Sequence, residues 1–484
     1  MNILKLPLVL ILVLIFSSGV VAKDRNGDSF RIAHESTFPQ GESHKKLNGL
    51  QVMSRPLPGE PYFPSDIYIK KAVFEINDDY EILLNVFPKY QASSNNIHEI
   101  DSLISHSGKS NKESWSHHAL PTQYGGLAYR YLDEFFQNNL EWEDLFHEYE
   151  KYPPELLIDT GNIDILSPIE KYEYLIGNTN FSMTKNEWQK GQDYINQFSF
   201  VPHWIGLCHG TAPATLNSPR PTNAIKVKSY NGKHDIIFYP SDLKELLSYA
   251  WAMNSESSVM LGSRCGSVVY QGVRPESSCL DPNPSAFHLA TLNLLGQNNQ
   301  SFIIDSFAGN EIWNRSIISY RYKYFKPGTH NFTDNLQYAL TLRSDYPDDP
   351  FAIYRSLKTV SLVGVWMELT YIVGTQPSDK IINTFLDDVH ETLSFWYDLE
   401  IDQGGNIIGG EWQDLNYPDF LWVVGDDILP KSFYDFVIEG ALISYDGTKS
   451  LPIKISNYAK LAAKQNQLLF SIIESMLRLS QNND

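Results

Sequence analysis

Val201-Pro-His-Trp-Ile-Gly-Leu-Cys208-His-Gly-Thr-Ala-Pro213 sets one cysteine after an apolar turn and ahead of a run of small residues suited to opening a helix. A thiol at a helix N-terminus faces backbone N–H groups and the positive end of the helix dipole, and both favour its thiolate. That placement suits a nucleophile. A buried, inert cysteine fits the same pattern, so the partners must be sought further along the chain.

Downstream, Pro284-Ser-Ala-Phe-His288-Leu-Ala-Thr-Leu-Asn293 is an apolar, strand-compatible run with one titratable residue, and Gln300-Ser-Phe-Ile-Ile-Asp305-Ser-Phe-Ala is another with one carboxylate. Two antiparallel strands joined across Gly296 to Asn299 would bring His288 and Asp305 to one edge. The carboxylate then holds the imidazole tautomer while the imidazole takes the thiol proton. The order Cys208, His288, Asp305, with about 80 residues to the histidine and about 17 more to the acid, is that of papain-like and transglutaminase folds.

The compartment is read from the first residues. Lys5 precedes an apolar run from Leu6 to Phe16, and Val20-Val21-Ala22 ends in small residues before Lys23, the pattern of a secretory signal peptide over 1–22. No later segment spans a bilayer, so the expected product is secreted, at the cell surface, in the periplasm or outside, without stable membrane insertion after signal removal. The formal charge of −19, deepened by one on loss of Lys5, speaks against nucleic acid as a partner. Three cysteines leave one over in any pairing. Cys265 and Cys279 span a loop that one disulfide would close for about 3 kcal/mol, leaving Cys208 free; three small buried thiols is the other reading.

At 484 residues the chain exceeds what a single small core needs, and 13% aromatic content suits a folded, strand-rich protein. Residues 23–115 read as a polar N-terminal extension, a possible pro-segment, ending in the exposed loop Ser105 to Ser116. Residues 116–345 read as the catalytic core and 346–484 as a strand-rich C-terminal region. The core opens helically, with Leu127, Tyr131, Phe135 and Phe136 on one face and a break at Pro153-Pro154. A hairpin is expected over Ile225–Tyr230 and His234–Phe238 about Asn231-Gly232, then a helix with a capping box from Asp242 to Glu245 and a stripe of Leu243, Leu246, Leu247 and Ala250. Leu393, Phe395, Tyr397, Leu399 and Ile401 alternate as in a strand before Gly404-Gly405, and one amphipathic helix runs from Asn457 to Ser480. The fold class expected is α+β.

Other polar residues carry weaker readings. His209 points about 100° away from Cys208 on a helix and reads as a supporting or surface group. His203 is the runner-up for a local role, and His117-His118 lacks the spacing of a metal site. Glu411 with Trp412 reads as a structural carboxylate or a cleft-lining group. Sequons stand at Asn180, Asn299, Asn314 and Asn331.

Several segments together resemble the transglutaminase elicitor family, first described in oomycetes and with bacterial relatives. They are Trp204-Ile-Gly-Leu-Cys-His-Gly-Thr-Ala-Pro-Ala214, Leu261-Gly-Ser-Arg-Cys265, Cys279-Leu-Asp-Pro-Asn-Pro284, Phe287-His288, Asp305, Ile312-Trp-Asn314, Gly409-Gly-Glu-Trp412 and Pro418-Asp-Phe-Leu-Trp422. The resemblance implies a papain-like or transglutaminase-like core in which Cys208 accepts the acyl group, His288 is the base and Asp305 its orienter, with Cys265 and Cys279 as a disulfide near the site. It implies a protein-glutamine gamma-glutamyltransferase joining glutamine to lysine on protein substrates. The chemistry as implied requires no cofactor, and calcium is left open. The oxyanion would rest on the Cys208 N–H and on a neighbour, Trp204.

Within Ile312 to Tyr322, which corresponds to the surface segment plants recognise in oomycete members, the chain departs after Trp313-Asn314 with Arg315, Ser316, Ile317 and Ile318. Plant recognition is therefore not carried over. Neither are properties of residues 23–115 and about 430–484. Two rival readings stand beside the transferase: a glutamine deamidase or cysteine protease with the same three residues, and a non-catalytic secreted recognition protein.

Overall fold

Ser167-Pro-Ile-Glu170 shows how sharply this chain starts its helices. Ser167 accepts from the Glu170 N–H, Glu170 reaches back to the Ser167 N–H at 2.8 Å, and proline fills the first helical position. The helix that follows, α1 (Pro168–Ile176), ends at Gly177, whose φ of 78° the missing Cβ permits. Arg130 closes on the Glu170 carboxylate at 2.7 Å and Lys171 meets Asp242 at 2.8 Å, all four groups buried. Each pair is costly to break one-sidedly, about 3–5 kcal/mol, and the second ties α1 to the helix bearing Asp242.

The computed structural model describes residues 21–23, 29–31, 94–254, 258–262, 282–306, 311–414, 417–424, 428–438 and 440–482. Residues 1–20 of the expected signal peptide, Cys265 and Cys279 lie outside these. The further helices used below are α2 (Ser182–Phe198), α3 (Cys208–Asn217), α4 (Pro240–Asn254), α5 (Pro284–Thr291), α6 (Ile453–Ala463) and α7 (Phe470–Gln481). No helix among the described residues is long and apolar enough to cross a membrane.

The strands are β1 (Val21–Lys23), β2 (Ser29–Arg31), β3 (Ser107–Lys109), β4 (Ile225–Lys228), β5 (Asp235–Phe238), β6 (Ser258–Gly262), β7 (Phe302–Asp305) and β8 (Asn314–Phe325), then β9 (Phe332–Thr333), β10 (Thr341–Leu342), β11 (Ser361–Ile372), β12 (His390–Ile401), β13 (Ile407–Trp412) and β14 (Phe420–Val424). All but β4 and β5 join one sheet, whose path is β13-β12-β11-β8-β7-β14-β6-β1-β2, with β10 on β11 and β3 and β9 on β8. Its pairs are antiparallel apart from β1 with β6. The sheet runs straight across residue 345, since β11 pairs with β8.

Alternation along the strands divides the interior in two. Ile303, Phe420 and Trp422 belong to a core shared with α1 to α4 and α7. Phe302, Ile304, Leu421 and Val423 belong to a second core shared with α5 and the long strands. A bulge at Ile318, opposite the Thr370–Tyr371 step, moves Tyr320, Tyr322 and Tyr324 onto the same side as Ile317.

Several expectations are corrected. The run around His288 is a helix, because Asn283 caps it through the Ser285 N–H and Pro284 fills its first position; a π-helical turn over Leu292–Gln297 continues it where a hairpin turn was expected. Leu127 lies in a short 3₁₀ helix, Gly126–Ala128, and Tyr131 in a turn rather than in one helix, and only Glu134–Asn138 is α-helical there. The segment Ser105 to Ser116 holds β3, paired with β8, and a fully buried Trp115. Asp242 is the third residue of α4, because Pro240 takes the first, and its carboxylate reaches back to the Tyr239 N–H at 2.7 Å. The final helix is two helices, α6 and α7, broken where Asn466 adopts a φ of 54°. The hairpin β4–β5, with Gly232 at φ 69°, the break at Pro153-Pro154 and the alternating strand β12 are found as read.

Candidate active site

Cys208 is the first residue of α3, as its sequence context implied. The approach to it is pinned on both sides: Leu207 N–H donates to Ala119 C=O and Thr122 N–H to Ile205 C=O, both at 2.9 Å. Gly210, two residues on, allows α3 to lie against α4, since a Cβ there would stand 2.2 Å from Ser248 O and 2.6 Å from Ala252 Cβ. His209, the second residue of α3, is buried rather than at the surface, and burial pushes its imidazole down to about 3, with Lys190 adding to the effect.

On its other side α3 lies along β8. Ser316 Oγ donates to Ala212 C=O at 3.1 Å and shares a hydrogen bond with Thr215 Oγ1 at 3.0 Å. Four helical residues rise about 6 Å and two strand residues advance about 6.6 Å, so the contact of Ser316 with Ala212 brings Asn314 level with Cys208. The match is direct: Asn314 Nδ2 donates to Cys208 Sγ at 3.4 Å, and the thiol donates to Ile312 C=O at 3.7 Å. Asn314 Oδ1 in turn accepts from Trp422 Nε1 at 2.8 Å.

Asp305 is the register partner of Asn314 on the neighbouring strand, fully buried, and accepts from the Trp313 N–H at 2.9 Å. It lies two residues from Ile303, on the Cys208 side of the sheet. Burial pushes the half-buried Cys208 thiol up; the Asn314 side chain and N–H pull it down, the Asp305 charge pushes it up, and Arg315 pulls it down. At the edge, exposed His203 stands with Nε2 4.0 Å from Glu311 Oε1, and Glu311 accepts from Trp313 Nε1 at 2.9 Å.

His288 is elsewhere. Its helix packs through Ala286, Phe287, Leu289 and Ala290 into the core on the opposite face of the sheet. Its Nδ1 is 2.8 Å from the Tyr397 hydroxyl, its ring is edge-on to Tyr322, and Nε2 has no hydrogen-bond partner among the described residues. Burial pushes this imidazole down to about 3, and His106 adds to the effect. The expectation that His288 and Asp305 meet across a hairpin is thus corrected: a helix stands where the first strand was read, and the sheet separates the imidazole from the thiol.

Trp204 is buried in the core on the Cys208 side. Trp412 is buried and donates to Pro282 C=O at 3.0 Å, and the Glu411 N–H donates to Asp398 at 3.2 Å, within β13 and away from the thiol. His117 and His118 are buried. Among the described residues no group of three or more His, Cys, Asp or Glu side chains is arranged to hold a metal ion.

Residues 178–432 match the transglutaminase elicitor family, more than half of the chain and every element around Cys208 from α2 to β14. The chain belongs to that family. Among solved structures, the GP42 transglutaminase from Phytophthora sojae is similar over 72% of this chain and 90% of that chain, at 20% identity and a TM-score of 0.48. No curated protein matches the chain. Two residues at this site carry no functional reading from the sequence: Asn314, which entered within Ile312-Trp-Asn314 and as a sequon, and Trp422, 108 positions away. Their one signal was that both lay in segments shared with the family.

Proposed function

We propose that this chain is a secreted protein-glutamine gamma-glutamyltransferase, an acyltransferase acting on proteins bearing glutamine and lysine, in which Cys208 is the nucleophile and Asp305 accepts its proton. The observation that carries this reading is the contact of a helix-initiating cysteine with Asn314, whose register partner on the adjacent antiparallel strand is Asp305, with the Asp305 charge felt at the thiol, the kind of helix-on-sheet site a papain-like or transglutaminase-like core uses, within the family-matched region.

The thiolate adds to the glutamine γ-carboxamide carbon. Its carbonyl oxygen becomes an oxyanion, facing the Cys208 N–H, which the first helical turn leaves without an intrahelical acceptor, and Trp204, the neighbouring donor assigned on sequence grounds. The C–N bond breaks as Asp305 returns its proton to the amide nitrogen, which leaves as ammonia, and a thioester remains. A lysine amine then adds to the thioester carbon, gives a proton to Asp305, and expels the Cys208 sulfur, which recovers that proton. The net change is carboxamide plus amine to isopeptide plus ammonia, and it requires no cofactor as written.

Mass spectrometry of a treated glutamine- and lysine-bearing protein separates this reading from its rivals. Crosslinked peptides and released ammonia are expected. Deamidated glutamine without crosslinks, or cleaved backbone, would replace the amine by water or the carboxamide by a peptide bond.

A further inference from the structure

The Cys208 sulfur has two polar neighbours of opposite electrical sense. Ile312 C=O accepts from the thiol at 3.7 Å and so suits the protonated form, whereas Asn314 Nδ2 donates at 3.4 Å and suits the thiolate. A hydrogen bond to an ionised acceptor is roughly twice as strong as one between neutral groups, so the Asn314 contact gains when the proton leaves. An amide can present either end, and its shape alone does not choose.

Trp422 makes the choice. An indole N–H only donates, so at 2.8 Å from Asn314 Oδ1 it commits the oxygen and turns the NH2 group toward sulfur. Trp422 sits on β14 and Asn314 on β8, with β7 between them, a separation of about 10 Å between backbones that takes a long side chain to bridge. Both side chains are buried, Trp422 at 1% exposure and Asn314 at 7%, so water does not replace either bond readily.

We infer that Asn314 is a catalytic residue that donates its amide N–H to the Cys208 thiolate, and that Trp422 is the positioning residue that locks the amide in that sense. The inference rests on the reading of Cys208 as nucleophile. It assigns Asn314 work in both halves of the reaction, because the sulfur is anionic before it attacks and again as it leaves the thioester. The donation weakens while the acyl group is held, so it favours release of the thioester over its persistence.

The test is the pH dependence of Cys208 alkylation by iodoacetamide, followed by mass spectrometry of the peptide containing Cys208, in wild type, Asn314→Ala and Trp422→Phe. Asn314→Ala should raise the midpoint by about one pH unit, a tenfold loss of thiolate at a given pH below it. Trp422→Phe keeps an aromatic ring but frees the amide to turn its oxygen to sulfur, and should move the midpoint the same way by a smaller amount. Thermal unfolding identifies any variant that has not folded, and Trp422→Phe keeps the test open should Asn314→Ala fail to fold. A midpoint unchanged in a folded variant overturns the inference. Amine incorporation by the wild type, measured in parallel, keeps the two claims apart: a shifted midpoint without acyl transfer upholds the Asn314 role and removes the transferase reading, and transfer with an unmoved midpoint does the reverse.

Discussion

His288 Nδ1 stands 2.8 Å from the Tyr397 hydroxyl, with the central sheet between that pair and the Cys208 sulfur. The imidazole is thus a core group whose work is packing and one buried hydrogen bond. His288→Gln should cost about 1–3 kcal/mol of stability and leave acyl transfer by the folded variant within a few fold of wild type. Thermal unfolding together with amine incorporation checks this; lost activity at unchanged stability would return His288 to the reacting groups.

The same residue predicts a pH dependence. Burial holds the folded-state imidazole near 3, below its ordinary range, so the unfolded chain binds the proton first as pH falls. Its stabilising contribution is complete above about 6.5 and is lost as pH falls toward 3. The stability gap between wild type and His288→Gln should therefore narrow across that window, measured as the difference in melting temperature at each pH.

Glu245 predicts the opposite sign. It is fully buried on α4, neither carboxylate oxygen has a hydrogen-bond partner among the described residues, and burial, with Asp242 adding, pushes its pKa well up. The folded state holds the proton that the unfolded chain releases above about 4.3, so this contribution is full below that pH and falls as pH rises. Glu245→Gln, which keeps the shape, should gain on wild type as pH rises from 5 to 8 in denaturant titrations. A gap constant with pH would contradict it.

Asp305→Asn separates charge from geometry. The amide oxygen can still accept from the Trp313 N–H, but it takes no proton from the thiol. Because the Asp305 charge pushes the Cys208 thiol up, the alkylation midpoint should fall in this variant while acyl transfer drops by about 10²–10⁴-fold. A variant retaining wild-type transfer would remove Asp305 as the proton acceptor.

Gly210→Ala tests the packing that positions Cys208. The added methyl meets Ser248 O and Ala252 Cβ, backbone and helix-bound atoms that cannot swing aside. A loss of about 1–3 kcal/mol is expected in denaturant unfolding, with activity falling through displacement of α3 from β8.

The sequence made part of this site legible and hid the rest for physical reasons. Cys208 could be placed at a helix start because small residues follow an apolar turn, and Asp305 at a strand end because one charge closes an apolar run. His288 was misread because a short apolar run supports helix and strand alike; the deciding marks were Asn283 and Pro284, a cap and a first-turn proline. Asn466 split an otherwise continuous apolar stripe by adopting a left-handed conformation that asparagine tolerates. Asn314 and Trp422 escaped because their meaning lies in a bond across β7 between residues 108 positions apart, and no local pattern encodes it.

The central claim is that Cys208 transfers glutamine acyl groups to amines, and incorporation of a labelled primary amine into a glutamine-bearing protein, by wild type against Cys208→Ala, tests it most directly. Wild type should incorporate the amine, assayed with and without calcium, and Cys208→Ala should incorporate none. Equal incorporation by the two proteins, or none by a folded wild type in any condition, would contradict it.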